Sequence, residues 1–227
     1  MSHLSGSPSG PRVAVVLAGC GYLDGAEINE AVIALLALNR AGAQVRVFAP
    51  DKPQLHVVDH FAGAVVEGQS RNVLTESARI VRGQVRPLAE LGAEDFDALF
   101  LPGGFGVAKN LSSFAVEGTT GSVEPDLVRV LRAFRAADKP IGAVCISPAV
   151  VVLALHEGEV TIGSDPGTAA AIDALGGHHR VCPVTDAHVD QERKLATAPA
   201  FMEEVQLADV ARGIEQAVAA TLALIGA

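Results

Sequence analysis

The chain has 227 residues, of which 49% are hydrophobic and 19% are charged, and its formal net charge is −9. A chain of this length buries a substantial core, and this composition excludes a disordered protein. The negative net charge, without a cluster of Lys and Arg, argues against a nucleic-acid surface or a polybasic membrane patch.

The N-terminal segment, residues 1–11, is rich in Ser, Gly and Pro, so we expect a flexible tail followed by one domain over residues 12–227. The segment lacks the apolar stretch of a secretory signal. No apolar run in the chain approaches the ~18 residues that a membrane helix needs. Three cysteines, Cys20, Cys145 and Cys182, are too few for a disulfide scaffold. A reducing cytosol, and hence a cytoplasmic location, is therefore expected.

The predicted elements alternate between strands and helices along the chain. Strands are predicted at residues 13–18, 44–49, 97–101, 141–144 and 160–162, with a hairpin at 187–196. Helices are predicted at residues 27–40, 72–81, 125–137, 147–155, 167–175 and 202–224. This alternation requires crossover connections, so it predicts an α/β fold with a mostly parallel sheet and helices on both faces. Ligand sites in such folds lie beyond the carboxyl ends of the strands. That rule selects the loops after Ala18, Leu101 and Val144.

The third of these loops places Cys145 where a buried strand turns directly into a helix. A nucleophile elbow has this pattern, because the sharp turn lifts one side chain above the sheet. The helix N-terminus also favours a thiolate over a thiol. The alternative is a buried structural cysteine, which is a common role for this residue type.

The second loop contains paired glycines directly after a buried strand. Gly103 and Gly104 allow the backbone to approach a ligand and expose N–H donors. Together with the N–H of Ile146, these donors are predicted to form an oxyanion hole. A plain tight turn is the alternative. Asn110, a little further along the chain, is a candidate for lining the same cleft, and a solvated surface position is its alternative.

The first loop leads into a helix that contains two acidic candidates, Glu27 and Glu30. Glu30 has Ile33, Ala34 and Ala37 at helical spacing, so its carboxyl is expected to be partly buried. Burial raises the pKa of a carboxyl and allows it to exchange a proton near neutrality. Glu27 is the alternative, as a charge that interacts with the helix dipole. The main apolar stripe of this helix is predicted to consist of Ile28, Val32, Leu35 and Leu36.

The histidines do not complete a catalytic triad, since none of the seven follows Cys145 directly. His56 and His60 are four residues apart, but no third ligand stands nearby, so no metal site is predicted. Cys20 lies in the first loop and is a candidate redox neighbour of Cys145 across the cleft. A small residue in a turn is the alternative for Cys20.

At these residues the chain resembles the PfpI-type branch of the class I glutamine-amidotransferase-like superfamily, and within it the ElbB-type proteins. The resemblance extends from Arg12 to the C-terminus. The strings that support it are Leu17–Gly21 (LAGCG), Asp24–Ile28 (DGAEI), Phe48–Lys52 (FAPDK), Ser70–Leu74 (SRNVL), Pro102–Leu111 (PGGFGVAKNL) and Cys182–Val184 (CPV).

The resemblance implies a flavodoxin-like three-layer sandwich that is commonly a homodimer. It also implies a glyoxalase activity that needs neither glutathione, metal nor another cofactor and converts 2-oxoaldehydes such as glyoxal and methylglyoxal to 2-hydroxy acids. Cys145 takes the position of the family nucleophile, and the count back from Gly42 gives Glu30 as its partner carboxylate. Many relatives have a histidine where this chain has Ile146, and Asp165 lies nearest to a histidine that other relatives supply from a later loop.

The expected function is therefore that of a glyoxalase of low turnover that acts on a small molecule. Two alternatives use the same cysteine. One is an amidase or deglycase, against which the absence of a histidine after Cys145 counts. The other is a non-enzymatic, redox-sensing regulatory protein in which Cys145 is oxidised.

Overall fold

The computed structural model describes residues 9–227, so the tail predicted at residues 1–11 lies outside the described residues except for its last three. Two of these three residues are bonded to the sheet. The carbonyl of Gly10 accepts a hydrogen bond from Nε2 of Gln44 at 3.1 Å. The carbonyl of Pro11 accepts one from the backbone N–H of Gln44 at 2.8 Å. These two hydrogen bonds lie directly before the first residue pair of the two strands, Arg12 opposite Gln44.

A seven-stranded sheet forms the centre of the domain. The strands of the described chain are β1 (Arg12–Val16), β2 (Gln44–Ala49), β3 (Val58–Asp59), β4 (Ala64–Val65), β5 (Val85–Pro87), β6 (Ala98–Leu101), β7 (Ile141–Val144), β8 (Glu159–Val160), β9 (His178–His179), β10 (His188–Asp190) and β11 (Leu195–Ala198). The order in the central sheet is β10-β11-β7-β6-β1-β2-β5. All neighbours are parallel except β10 and β11, which form the predicted antiparallel hairpin.

Helices cover both faces of this sheet, as predicted for the α/β class. They are α1 (Ile28–Arg40), α2 (Val73–Ile80), α3 (Phe105–Lys109), α4 (Phe114–Glu117), α5 (Pro125–Ala136), α6 (Ser147–Leu155), α7 (Pro166–Ala174) and α8 (Leu207–Ala223). In β1, Val13 and Val15 pack with α1 and α8, whereas Ala14 and Val16 pack with α5 and α6. Successive side chains of a strand point to opposite faces, so one buried strand contributes to two cores.

Three predicted details are wrong. The predicted stripe on α1 is mostly exposed, because Ile28, Val32 and Leu36 face outward and only Leu35 of the four is buried. The last helix begins at Leu207 instead of residue 202. The strand predicted at 160–162 is Glu159–Val160, which pairs with β9 in a separate two-stranded sheet.

The topology brings the carboxyl ends of β1, β6 and β7 to the same edge of the sheet. The three strands are adjacent and parallel, and Leu101 at the end of β6 lies opposite Ala143 of β7. The loops that the sequence selected therefore meet at this edge. Within residues 9–227, no helix has the length and apolar character needed to cross a membrane.

Candidate active site

Cys145 occupies a strained turn between β7 and α6. Its φ angle is 61°, in the left-handed region that side-chain-bearing residues rarely adopt. Its N–H continues the sheet by donating to the carbonyl of Ala198 at 3.0 Å. On the other side of the turn, Oγ of Ser147 donates to the carbonyl of Pro102 at 2.7 Å. These two bonds fix both ends of the turn, and such strain is characteristic of a nucleophile elbow.

Glu30, in the first turn of α1, is completely buried and lies next to Cys145. Its Oε2 accepts a hydrogen bond from the N–H of Gly103 at 2.8 Å, and its Oε1 accepts one from the N–H of Phe201 at 3.2 Å. The carboxyl also hydrogen-bonds the thiol of Cys145. The carboxyl of Glu30 is thus held in one orientation by two loops, against the sulfur.

Burial, followed by the nearby charge of Glu27, raises the pKa of Glu30 to about 7. Burial also raises the pKa of the Cys145 thiol well above its usual value, and the charge of Glu30 adds to this effect. The expectation that the helix N-terminus makes Cys145 a thiolate is therefore wrong for the resting site. The structure instead pairs a neutral thiol with a carboxyl that takes up a proton near neutral pH.

Two backbone N–H groups, those of Gly104 and Ile146, donate hydrogen bonds to the Cys145 sulfur. They are the donors available to an oxyanion formed at this point. Gly103 is not a third donor, which corrects the sequence prediction, because its N–H is already bonded to Glu30. Gly103 has a spatial role instead. A Cβ there would lie 2.8 Å from Oε2 of Glu30 and 2.9 Å from Sγ of Cys145.

A cavity of about 360 Å³ opens above the sulfur. The described residues that line it are Tyr22, Glu27, Gly104, Phe105, Cys145, Ile146, Asp165, Thr168, Phe201 and Met202. Asp165, the residue that the resemblance placed nearest to a histidine of other relatives, is among them. It caps α7, and the hydrogen bond that its side chain accepts from Thr168 lowers its pKa. Sequence reasoning did not select Tyr22, Phe105, Phe201, Thr168 or Met202, although Tyr22 and Phe105 belong to two of the loops that it had selected.

Asn110 does not line this cavity, contrary to the prediction. It is buried, and its Nδ2 donates to the carbonyls of Ala18 at 2.9 Å and Asp24 at 2.8 Å. Its Oδ1 accepts from the N–H of Leu55 at 2.9 Å. Asn110 therefore ties the loop between β1 and α1 to the loop after β2, and both of its amide N–H groups are taken.

Cys20 is also absent from the residues that line the cavity in the described chain. Its thiol is partly buried, and burial raises its pKa, with Arg79 and Glu76 of α2 acting as nearby charges. The structure thus gives Cys20 an environment of its own, outside the cavity above Cys145. Among residues 9–227, no group of three or more His, Cys, Asp or Glu side chains is placed to hold a metal ion.

Comparison with known proteins identifies relatives over nearly the whole chain. A model of the DJ-1/PfpI family matches residues 12–206. The human protein named glutamine amidotransferase-like class 1 domain-containing protein 3, mitochondrial, is 50% identical over 99% of this chain and 87% of its own length. The rat protein named ES1 protein homolog, mitochondrial, is 48% identical over 99% of this chain and 88% of its own length.

Solved structures agree with this result. A protein from Ehrlichia chaffeensis, described as an isoprenoid biosynthesis protein with an amidotransferase-like domain, superposes with a TM-score of 0.89. It is 41% identical, and the match covers 94% of this chain and 99% of that one. Glyoxalase III from Candida albicans has a TM-score of 0.58 at 12% identity, over 93% of this chain and 97% of its own, and therefore shares the fold.

The expected cytoplasmic location is contradicted by these relatives, because the human and rat proteins are both named as mitochondrial. The reason for the error is that a low cysteine count excludes a disulfide scaffold but does not identify a compartment.

Proposed function

Since the chain belongs to the DJ-1/PfpI family, we propose that it is a glyoxalase that converts small 2-oxoaldehydes, such as glyoxal and methylglyoxal, to 2-hydroxy acids without glutathione. The observation that supports this proposal is the pairing of Cys145 with Glu30. A strained nucleophile contacts a buried carboxyl whose pKa of about 7 suits both the uptake and the release of a proton at neutral pH.

In the first step the Cys145 sulfur attacks the aldehyde carbon of the substrate. Ionised Glu30 accepts the thiol proton as the carbon–sulfur bond forms, which avoids a free thiolate in a buried position. The aldehyde oxygen becomes an oxyanion and accepts hydrogen bonds from the N–H groups of Gly104 and Ile146. The proton on Glu30 then passes to this oxygen, and a neutral hemithioacetal results.

In the second step Glu30 removes the proton from the former aldehyde carbon, which gives an enediol. The same carboxyl returns the proton to the neighbouring carbon, while the hydroxyl proton passes from the former aldehyde oxygen to the oxygen of the neighbouring carbon. The product is a thioester of Cys145 with a 2-hydroxy acid. Water then hydrolyses the thioester and restores the thiol. In total one water is consumed, no electrons leave the substrate, and neither a metal nor a cofactor is required.

Amide hydrolysis is a weaker proposal for this cavity. An amidase of this type needs a general acid to protonate the leaving nitrogen. Ile146 stands directly after the nucleophile, and no histidine is among the described residues that line the cavity. The glyoxalase reaction needs only one carboxyl for its proton transfers, and Glu30 supplies it.

We also propose that the chain belongs to a particular subgroup of the family and that it forms a homodimer. The strings around Cys20, Glu27 and Asn110 support the ElbB-type subgroup within the family. A homodimer is supported by α1, where Ile28, Val32 and Leu36 are 44–47% exposed at intervals of about one turn. An exposed apolar stripe of this kind is typical of a surface that associates with another molecule.

The test of the activity is acid production from glyoxal and methylglyoxal in the absence of glutathione. We expect the wild type and Cys182→Ser to form glycolate and lactate, and Cys145→Ser to form them only at the background rate. Cys182 is the control, since it is another free cysteine of the chain and is partly buried. Equal acid formation by Cys145→Ser, or none by the wild type, would reject the proposal.

The dimer is tested by sedimentation velocity. Val32→Lys should shift the protein to a monomer, whereas Val181→Lys should not. Val181 is also an exposed valine, at 77%, but it lies outside the stripe on α1. A wild type that sediments as a monomer would remove the dimer from the proposal and leave the chemistry of Cys145 untouched.

A further inference from the structure

The charged residues of the cavity above Cys145 all have the same sign. Apart from the reacting thiol, its ionisable lining consists of Glu27, Asp165 and the phenol of Tyr22, and no Lys, Arg or His of the described chain lines it. We call Glu27 and Asp165 the acidic pair. A site that binds carboxylate or phosphate groups normally presents Arg, Lys or a free helix N-terminus. This cavity has the opposite character.

Both members of the acidic pair are fixed in position by backbone hydrogen bonds. Glu27 caps α1, and its Oε2 accepts from the N–H of Glu30 at 2.6 Å. Asp165 caps α7, and its Oδ2 accepts from the N–H of Thr168 at 2.6 Å. Neither carboxylate can swing away to make room for an anion without breaking its cap. The same two helix N-termini are thereby already occupied.

The rest of the wall is aromatic and polarisable. Tyr22, Phe105, Phe201 and Met202 line the cavity, and the faces of aromatic rings attract cations. The ammonium of Lys109 lies 5.5 Å from the centre of the Phe105 ring. Its ammonium donates to the carbonyl of Leu23 at 2.8 Å and is not part of the lining.

The donors at the base of the cavity serve a different part of the substrate. The N–H groups of Gly104 and Ile146 point at the Cys145 sulfur, so they stabilise charge only on the oxygen of the reacting carbon. Any charge elsewhere on the substrate meets the acidic pair and the aromatic wall. The two regions therefore act on separate portions of one molecule.

From this arrangement we propose that the cavity selects 2-oxoaldehydes whose remaining portion is uncharged or cationic, and that Glu27 and Asp165 are the residues that exclude carboxylate- and phosphate-bearing aldehydes. This inference rests on the proposed function for the identity of the reaction. The charge selection itself concerns any ligand that reaches Cys145.

The experiment compares two methanethiosulfonate reagents of similar size on the intact protein. One bears a trimethylammonium group and the other a sulfonate. In both cases the thiolate attacks the sulfenyl sulfur, a disulfide forms, and methanesulfinate leaves. Peptide mass spectrometry measures the rate at Cys145 separately from the other cysteines. Each rate is divided by that of 2-mercaptoethanol with the same reagent, which removes intrinsic differences in reactivity.

We expect Cys145 to favour the cationic reagent by about tenfold. Each of Glu27→Gln and Asp165→Asn should reduce this preference by about 1.4-fold to fivefold, the range measured for solvent-exposed charge pairs. Both replacements retain a side-chain acceptor for the cap. Glu192→Gln is the matched control, since Glu192 is 80% exposed in the turn before β11, at the opposite edge of the sheet, and should leave the ratio unchanged.

Equal corrected rates for the two reagents in the wild type would overturn the inference. So would a ratio that persists in the double variant, or a cavity that admits neither reagent. Because disulfide formation requires no glyoxalase turnover, a protein that prefers the cationic reagent but forms no acid from methylglyoxal would retain the charge selection and lose only the proposed function.

Discussion

Replacing Glu30 with Gln separates the role of its proton from the role of its shape. Gln has nearly the same size, and its oxygen still accepts a hydrogen bond, but it cannot take a proton from the Cys145 thiol or from substrate carbon. General acid–base catalysis typically contributes about 10²- to 10⁴-fold. We therefore expect kcat/KM for methylglyoxal to fall by about that factor while the far-ultraviolet circular dichroism spectrum stays the same.

The same replacement should also change how stability depends on pH. Folding raises the pKa of Glu30 from an ordinary value of 4.5 to about 7, mainly through burial. The folded chain thus holds this proton more tightly than the unfolded chain does. The resulting stabilisation is complete below about pH 4.5 and is lost as the pH rises through 7. At about 1.4 kcal/mol for each pH unit between those values, the loss amounts to about 3 kcal/mol.

The assay combines methylglyoxal turnover with urea unfolding at pH 5 and pH 8. Wild type should lose about 2.5 kcal/mol of unfolding free energy between these pH values through this group, and Glu30→Gln should lack that loss. Glu76→Gln is the control, because Glu76 is also largely buried in the first turn of a helix but pairs with Arg79. A fall in turnover of less than tenfold, together with an unchanged pH dependence, would refute the reasoning.

Three further predictions concern the surroundings of the pair. Glu27→Gln removes a charge that raises the pKa of Glu30, so the rise of kcat/KM with pH should move to a lower pH than in wild type, and an unmoved profile would contradict this. Gly103→Ala should lower kcat by about 10²-fold, because the added Cβ displaces Cys145 or Glu30 and a displacement of 1 Å costs about that factor; wild-type kcat would show that the space is not needed. Asn110→Ala should reduce the unfolding free energy by about 3 kcal/mol, through three lost hydrogen bonds, and leave KM unchanged. A raised KM with unchanged stability would contradict this and indicate that Asn110 contacts the substrate.

The fold class and the neighbourhood of Cys145 were within reach of the sequence for a physical reason. Buried parallel strands are continuous apolar runs, and their carboxyl ends must meet at one edge of the sheet. Cys145 was selected because a buried strand turns directly into a helix there, and Glu30 because its neighbours at helical spacing are apolar. The strand 44–49 and the helix at Ser147–Leu155 have the predicted bounds.

The errors concern properties that depend on tertiary contacts. On α1 the buried face is made of Glu30, small alanines and two leucines, while Ile28, Val32 and Leu36 face outward, so a pattern of large apolar residues misled the assignment of the buried face. The role of Gly103 as a donor depended on whether a distant carboxyl would accept its N–H first. Asn110 is polar but buried, because three backbone groups from two loops distant in sequence satisfy its amide. Spacing along the chain contains no information about such partners.

The burial of Glu30 determines which hydrogen isotope the product carries when the reaction runs in deuterium oxide. Its carboxyl is fully buried and held by the N–H groups of Gly103 and Phe201, so it has no direct contact with bulk water. A proton taken from one substrate carbon can leave only toward the sulfur or toward another atom of the substrate. Lactate made from methylglyoxal in deuterium oxide should therefore keep mostly protium at C2, whereas a solvent-exposed base would exchange its proton and deposit deuterium there. Proton nuclear magnetic resonance of the product measures this directly.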